Sequence, residues 1–178
     1  MCSFGHKPIG VCSPKHFDFV KSRGAVKVFD YQSPSCAQDI RTYTKNSLAY
    51  IIDPMADVRT MTLCYAAMGR AGGRYCALEA YSEDLTTSRR VVQPELIMGM
   101  SIFGKRVALS YGYEKEADPE SRAFGVQWVQ EVQEVLDEAG LKSHPVRILE
   151  GGYQGVLKGL DLLKQNQVSG EKLVVRLS

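Results

Sequence analysis

The sequence predicts an α/β fold organised around a doubly wound parallel sheet, and two observations carry that reading. Short apolar strand runs alternate with helical segments of roughly ten residues. A parallel neighbour cannot be reached by a tight turn, so this alternation implies right-handed crossovers. The chain has 178 residues, 44% of them apolar, which suffices for one ordinary domain with a sizeable core.

The first strand falls in residues 7–12, and Ser13-Pro14 opens the helix behind it. Ser13 or a neighbour serves as N-cap, and Pro14 suits the first helical turn. Phe17, Phe19 and Val20 carry this helix to Gly24. Residues 26–31 form the second strand, after which Ser33-Pro34-Ser35 starts a helix bearing Ile40 and Tyr43. The third strand, residues 48–52, leads into a helix with Val58, Met61, Tyr65 and Met68 on one face and Gly69 at its end. Gly69-Arg70-Ala71-Gly72-Gly73 follows a helix and precedes a strand, the reverse of the order that points helix amides at phosphate, and reads as a helix stop and tight turn. Residues 74–78 are the fourth strand.

Beyond Glu79 the pattern loosens. Residues 81–90 read as a polar loop with Arg89-Arg90 in a solvated turn, Pro94 interrupts, and residues 97–103 form an apolar strand or short helix lining a pocket. Asp118-Pro119 starts the longest helix, in which Phe124, Trp128, Val132, Val135 and Leu136 follow helical spacing toward Gly140 and should pack on the sheet. Val146–Leu149, a helix bearing Tyr153, Val156, Leu157, Leu160 and Leu163, and residues 173–177 close the chain as strand, helix, strand.

Composition narrows the function classes. Lys and Arg total 22 against 20 Asp and Glu, and a balance of +2 leaves no electrostatic footprint for nucleic acid or an acidic membrane surface. The five cysteines are odd in number and form no C-x-x-C pair, which argues against a disulfide framework or a thiolate zinc site and for a reducing compartment. His6, His16 and His144 lie far apart, so no metal is indicated. The start of the sequence holds no apolar signal region, and no uncharged apolar run approaches ~20 residues, so a cytoplasmic protein is expected.

In an open parallel sheet, ligands bind beyond the carboxyl ends of the strands. After the first strand stand Ser13, Pro14, Lys15 and His16, where an enzyme selective for NAD would place an acidic residue against the ribose 2′-hydroxyl. A hydroxyl, free amides and a cation suit the 2′-phosphate of NADP; the same four residues also read as a plain capped helix with a solvated lysine. Tyr31 follows the second strand, where its ring could lie against adenine or ribose or simply be a half-buried aromatic. Asp53 ends the third strand, and Leu78 and Glu79 the fourth, where a nicotinamide end would pass. No G-x-G-x-x-G lies between a strand and a helix. Cys64 and Cys76 fall on apolar faces and read as inert buried thiols. No general acid is evident; Tyr65, Tyr81 and Tyr111 qualify by residue type alone.

Four stretches then point to a family: Cys12-Ser13-Pro14-Lys15-His16-Phe17, Val28-Phe29-Asp30-Tyr31, Ala71-Gly72-Gly73-Arg74-Tyr75, and Val168-Ser169-Gly170-Glu171-Lys172-Leu173-Val174-Val175. Together they resemble the trans-acting enoyl reductases of fungal polyketide biosynthesis, of the lovastatin and ToxD type, over nearly the whole chain. Those proteins are zinc-independent members of the medium-chain, alcohol-dehydrogenase-like superfamily. They use NADPH to reduce an enoyl thioester carried by a partner polyketide synthase. The resemblance implies that Ser13, Pro14, Lys15 and His16 take the 2′-phosphate, Tyr31 the adenosine, Leu78 and Glu79 the nicotinamide side, and Val168 and Ser169 the cofactor's far end. Gly99, Met100, Ser101, Ile102 and Phe103 would line the acyl pocket.

Family members carry a GroES-like catalytic domain, a strand and a glycine-rich turn ahead of the part matched here. The expectation is therefore an incomplete, Rossmann-like doubly wound sheet over residues 1–140 that lacks its first strand and glycine-rich turn. Residues 141–178 would add the closing strand, helix and strand that pack on the missing GroES-like domain. Unpaired strand edges near Val146 and Leu173 would favour association with another chain. The alternative to an NADPH-dependent enoyl reductase is a non-catalytic truncated fragment or binding module that joins another subunit.

Overall fold

The computed structural model describes residues 5–138 and 142–177, which form two compact units, Met1–Glu134 and Val135–Ser178. The first unit runs β1 (Ile9–Val11), a 3-10 turn (Pro14–His16), α1 (Phe17–Ser22), β2 (Lys27–Phe29), α2 (Cys36–Tyr43), β3 (Tyr50–Asp53), α3 (Val58–Ala67) and β4 (Gly73–Ala77). It continues through α4 (Glu83–Thr86), a 3-10 turn (Thr87–Arg89), β5 (Val92–Leu96) and a longer 3-10 helix (Gly99–Phe103). The next helix, α5 (Pro119–Asp137), carries the chain toward the second unit. There, β6 (Val146–Leu149), α6 (Gly152–Lys164) and β7 (Lys172–Val175) follow.

Among the described residues every ladder between strands is parallel, as the strand and helix alternation requires, and an isolated antiparallel bridge joins Val107 to Lys115. β1 pairs with β2, and β3, β4 and β5 form a separate sheet in that order. The incomplete doubly wound sheet is thus in two pieces: among the described residues no ladder joins β1 to β3. Side-chain burial holds the two halves together. Phe29 of β2, Cys36 and Ile40 of α2 and Ala67 of α3 form one cluster, with Ile9 and Leu48 packed against it. A second cluster joins Met61, Tyr65 and Met68 to Tyr75, Ala77 and Val92. Tyr75, Ile40, Met61 and Met68 are the largest fully buried side chains. Each apolar side chain of this size contributes about 1.5–3 kcal/mol by leaving water.

The turn between α3 and β4 depends on backbone freedom. Gly72 and Gly73 have φ of +79° and +151°, and a Cβ on either would collide with a carbonyl oxygen, that of Val91 or of Ala49. The end of α3 is closed by a residue that the sequence pattern places in a solvated turn. Arg89 donates from Nη1 to the carbonyl oxygens of Tyr65 (2.6 Å) and Met68 (3.0 Å), and from Nη2 to that of Gly69 (2.8 Å). A cation on the last carbonyls satisfies orphan acceptors and complements the helix dipole. Residues 81–90 are thus two short helical turns that deliver this arginine, and not an open loop.

Other expectations are corrected in the same way. Pro94 sits within β5 opposite Tyr75, which is allowed because β5 is an edge of its sheet. Val58 is exposed, while Met61, Tyr65 and Met68 do form the buried face. In α5, Phe124 and Trp128 stack with centroids 6.3 Å apart, yet both remain exposed and only Gly125 is buried. Gly140, the expected end of that helix, lies outside the described residues. In α6 the face against β6 and β7 is Gly155 and Gly159, which touch Val175, Leu149 and Leu173; the larger residues from Tyr153 to Leu163 face outward. β6 and β7 pair with one another, and both outer edges of the pair are unpaired among the described residues. No helix among them is long and apolar enough to cross a membrane.

The Arg89 cap makes a stability prediction. Hydrogen bonds to a charged group are worth about 1.5–3 kcal/mol each and are not additive, so Arg89→Ala should lower unfolding free energy by roughly 2–4 kcal/mol. Urea titration followed by circular dichroism reads this directly. Arg89→Lys should recover only part of the loss, because an ammonium lacks the planar fork that spans three carbonyls.

Candidate functional site

A cavity of about 550 Å³ runs between β1 and β3 and reaches the residues beyond the carboxyl ends of β1, β2 and β3. Ile9 and Val11 of β1 form one wall, and Tyr50 and Ile52 of β3 the other. Its polar rim consists of Tyr31, Asp53, Asp57, Arg59 and Thr60. Asp57 is spoken for by the fold: it caps α3, its carboxylate accepting from the Thr60 amide at 2.7 Å.

Asp53 organises this rim from beneath. It is 3% exposed, and its carboxylate is saturated with donors. Oδ1 accepts from the amides of Met55 (3.0 Å) and Ala56 (3.1 Å), and Oδ2 accepts from the Tyr75 hydroxyl at 2.8 Å. Burial alone would push this carboxyl up; the amides of Ala56 and Met55 and the hydroxyls of Thr60 and Tyr75 outweigh it and hold it below the usual carboxylate range. The same charge acts on its neighbours. Burial first, then Asp53, pushes the Cys64 thiol up to about 12, and the Tyr75 hydroxyl is raised for the same reasons. Cys76 is raised by burial and by Glu95. Burial thus disfavours the thiolates of Cys64 and Cys76, and the Asp53 carboxylate is occupied by donors of the fold itself.

Of the residues singled out in the sequence, Ser13 and Tyr31 are brought together: Ser13 Oγ donates to the Tyr31 hydroxyl at 3.2 Å. Ser13 occupies the N-cap position but makes no side-chain cap, because its hydroxyl is turned to Tyr31 instead. Pro14 and Lys15 are exposed on the following turn, and His16 is half-buried there. Sequence reasoning missed Arg59, whose guanidinium lies over the Tyr31 ring, 5.3 Å from its centroid. The signal was available: Arg59 falls in the first turn of the helix that follows a strand end.

Glu79 and Leu78 are exposed beyond β4, and the Leu78 amide donates to the Asp53 carbonyl at 3.1 Å. Glu79 has an unforeseen partner, the Tyr113 hydroxyl, which donates to it at 2.6 Å. Of the five acyl-pocket candidates, Met100 and Phe103 line a separate cavity of about 680 Å³, together with Leu109 and Arg122. Ile102 instead packs on Gly125, Ser101 bonds the Met98 carbonyl at 2.7 Å, and Gly99 begins the 3-10 helix. Val168 and Ser169 lie in the second unit, between α6 and β7. The tyrosines chosen by type divide. Tyr65 is sealed in the core, Tyr81 packs edge-on against Tyr75 at 6.2 Å, and Tyr111 is 90% exposed.

The depressed Asp53 carboxyl gives a pH prediction. A group whose folded value lies below its unfolded value contributes stability that is present above the unfolded range, near pH ~3.9, and is lost as pH falls through the folded value. Acid titration below about pH 4 should therefore unfold the first unit in part through Asp53. Asp53→Asn should flatten that dependence while lowering stability at neutral pH by roughly 1.5–3 kcal/mol. Urea unfolding at stepped pH reads both effects.

No protein-family model matches the chain. By sequence it is 67% identical over 173 residues to the trans-enoyl reductase ffsC of Aspergillus flavipes, covering 97% of this chain and 47% of that protein. It is 63% identical to the trans-enoyl reductase phmE of Phaeosphaeria nodorum, covering 96% of this chain and 48% of that protein. The chain thus spans about half the length of the curated relatives it matches. Among solved structures, the CurK enoyl reductase superposes with a TM-score of 0.70 at 12% identity, and the CurF ER cyclopropanase from the curacin A biosynthetic pathway with 0.69 at 15%. The match covers 97% of this chain and 48% of either structure and establishes the fold. By sequence the chain is similar to the trans-enoyl reductases ffsC and phmE over about half of their length, and it shares the fold of the CurK enoyl reductase.

Proposed function

We propose that the chain forms the adenosine-binding part of an NADPH-dependent enoyl reductase. Its substrate would be the carbon–carbon double bond of an acyl thioester held on a polyketide synthase carrier. One observation carries this reading: the Ser13 hydroxyl, the Tyr31 ring and the Arg59 guanidinium form a contiguous group beyond the ends of β1 and β2, with Lys15 on the adjacent turn. Two cations, a hydroxyl and an aromatic face make a suitable receptor for a phosphorylated ribose and its adenine.

In this reading Ser13, Lys15 and Arg59 hold the 2′-phosphate, and the Tyr31 ring flanks the adenosine. Leu78 and Glu79 border the nicotinamide side, with Glu79 fixed by the Tyr113 hydroxyl. Met100 and Phe103 offer an apolar wall to the acyl chain. The bound cofactor supplies the hydride; the protein's part is to bind, orient and exclude water. The residues fit the adenosine end better than the pyrophosphate, because none of the turns leading from β1, β2, β3 or β4 into the next helix contains glycine.

Lys15→Glu tests the assignment, since it places a negative charge where the 2′-phosphate is held. Fluorescence titration should show roughly a 10- to 100-fold loss of NADPH affinity, with NADH affinity changed little. Equal NADPH binding by the variant and the parent chain would contradict the assignment.

A further inference from the structure

α2 and α3 lead into β3 and β4, so their carboxyl ends lie at the amino ends of the strands, the side away from Tyr31 and Arg59. A cavity of about 400 Å³ opens there. Arg41 in the last turn of α2, Arg70 just past α3 and Arg89 in the 3-10 turn after α4 all line it, and Met61 and Leu85 give it an apolar wall. Its size and mixed lining are those of a small-molecule pocket.

Three guanidiniums from three elements thus surround one space whose lining holds no carboxylate. Among the described residues none of the three makes a salt bridge, and Glu83 and Asp84 of α4 take no part in the lining. Arg41 is fixed through Nε, which donates to Asn46 Oδ1 at 3.1 Å, and its Nη groups have no partner among the described residues. Arg89 spends three of its five N–H donors on the α3 carbonyls, which fixes its plane and leaves two. Arg70 is exposed, and its side chain has no partner among the described residues. The carboxyl ends of α2 and α3 oppose this charge with only about half a negative charge each.

Tyr65 is a second, independent observation. It is 4% exposed, lines the same cavity, and its hydroxyl has no hydrogen-bond partner among the described residues. A buried hydroxyl left unpaired is costly, and an acceptor on a ligand would recover that cost. The Thr62 and Ser88 hydroxyls are already given to the carbonyls of Val58 and Leu85, so guanidinium N–H groups and one phenol are the donors on offer.

We propose that this cavity binds a phosphomonoester, a small molecule whose terminal phosphoryl group is held by Arg41, Arg70, Arg89 and Tyr65 and whose apolar or ring-shaped body lies on Met61 and Leu85. One guanidinium satisfies a carboxylate through two parallel bonds, whereas three cations match the three terminal oxygens and double charge of a phosphoryl group. The site shares no residue with the adenosine site, and it stands whether or not the cofactor assignment does.

The test follows amide resonances of the 178-residue chain during titration with phenyl phosphate, inorganic phosphate, benzoate and, at matched ionic strength, sodium chloride. Phenyl phosphate should shift Arg41, Ala66, Arg70 and Arg89 saturably and bind at least ~10-fold more tightly than inorganic phosphate, because its ring adds apolar contact. Arg70→Ala should weaken phenyl phosphate binding at least ~10-fold. Tyr65→Phe should weaken it similarly without lowering the urea midpoint, since the hydroxyl it removes bonds nothing in the fold; a residue with only a packing role would leave affinity unchanged. Lys15→Glu should leave this binding as it is, which separates it from the adenosine site. Shifts that sodium chloride reproduces, or phenyl phosphate binding that survives either Arg70→Ala or Tyr65→Phe undiminished, would overturn the proposal. So would benzoate binding as tightly as phenyl phosphate, since the occupant would then be a carboxylate, such as that of an acidic protein partner.

Discussion

A carboxylate that is 3% exposed costs several kcal/mol to bury unless donors replace its water, and Asp53 has them on both oxygens. The consequences spread outward from there. The Met55 and Ala56 amides fold the chain sharply after β3, with Ala56 at a φ of +51°, and this turn delivers the Asp57 cap and so starts α3. Tyr75 ties the same carboxylate to the middle of β4, and the Leu78 amide ties the Asp53 backbone to its end. α3 then presents Arg59 over Tyr31 on one side and is closed at its far end by Arg89. The candidate site is thus built on the rigid end of one strand, and its exposed polar groups can be varied without disturbing the buried charge that positions them.

Strand and helix order was legible because the period of apolar residues changes between elements, and β6 runs as Val146–Leu149 in both sequence and structure. What could not be read was where apolar faces end up. In α6 the pattern from Tyr153 to Leu163 looks like a buried stripe, yet two glycines form the close-packed face because only they allow the helix so near Leu149, Leu173 and Val175. Pro94 looked like a break because a proline is excluded from central strands; it is tolerated here since its missing amide would face the open edge of β5. The place of Arg59 in the first turn after β3 was legible, but the contacts of Arg89 and Arg59 were hidden for a common reason. A cation's partner, whether three backbone carbonyls or a tyrosine ring, is set by tertiary approach and leaves no local periodicity.

At the site, residues adjacent to strand ends were the readable part. Ser13 and Tyr31 are 18 positions apart, and parallel pairing of β1 with β2 brings their hydroxyls within 3.2 Å. The topology rule that ligands meet the carboxyl ends of parallel strands singles out both residues from the sequence alone. The five-residue apolar stretch after β5 was less readable, because a 3-10 helix turns some of its residues inward and leaves Met100 and Phe103 facing a cavity.

The measurement that bears most directly on the account is a titration of the chain, labelled for amide resonances, with 2′,5′-ADP and in parallel with 5′-ADP. These fragments ask only about the adenosine end and need no pyrophosphate turn. The account predicts saturable shifts from 2′,5′-ADP centred on Ser13, Lys15, His16, Tyr31 and Arg59, with 5′-ADP at least ~10-fold weaker. Equal response to both nucleotides, or shifts confined to residues away from the ends of β1 and β2, would contradict it.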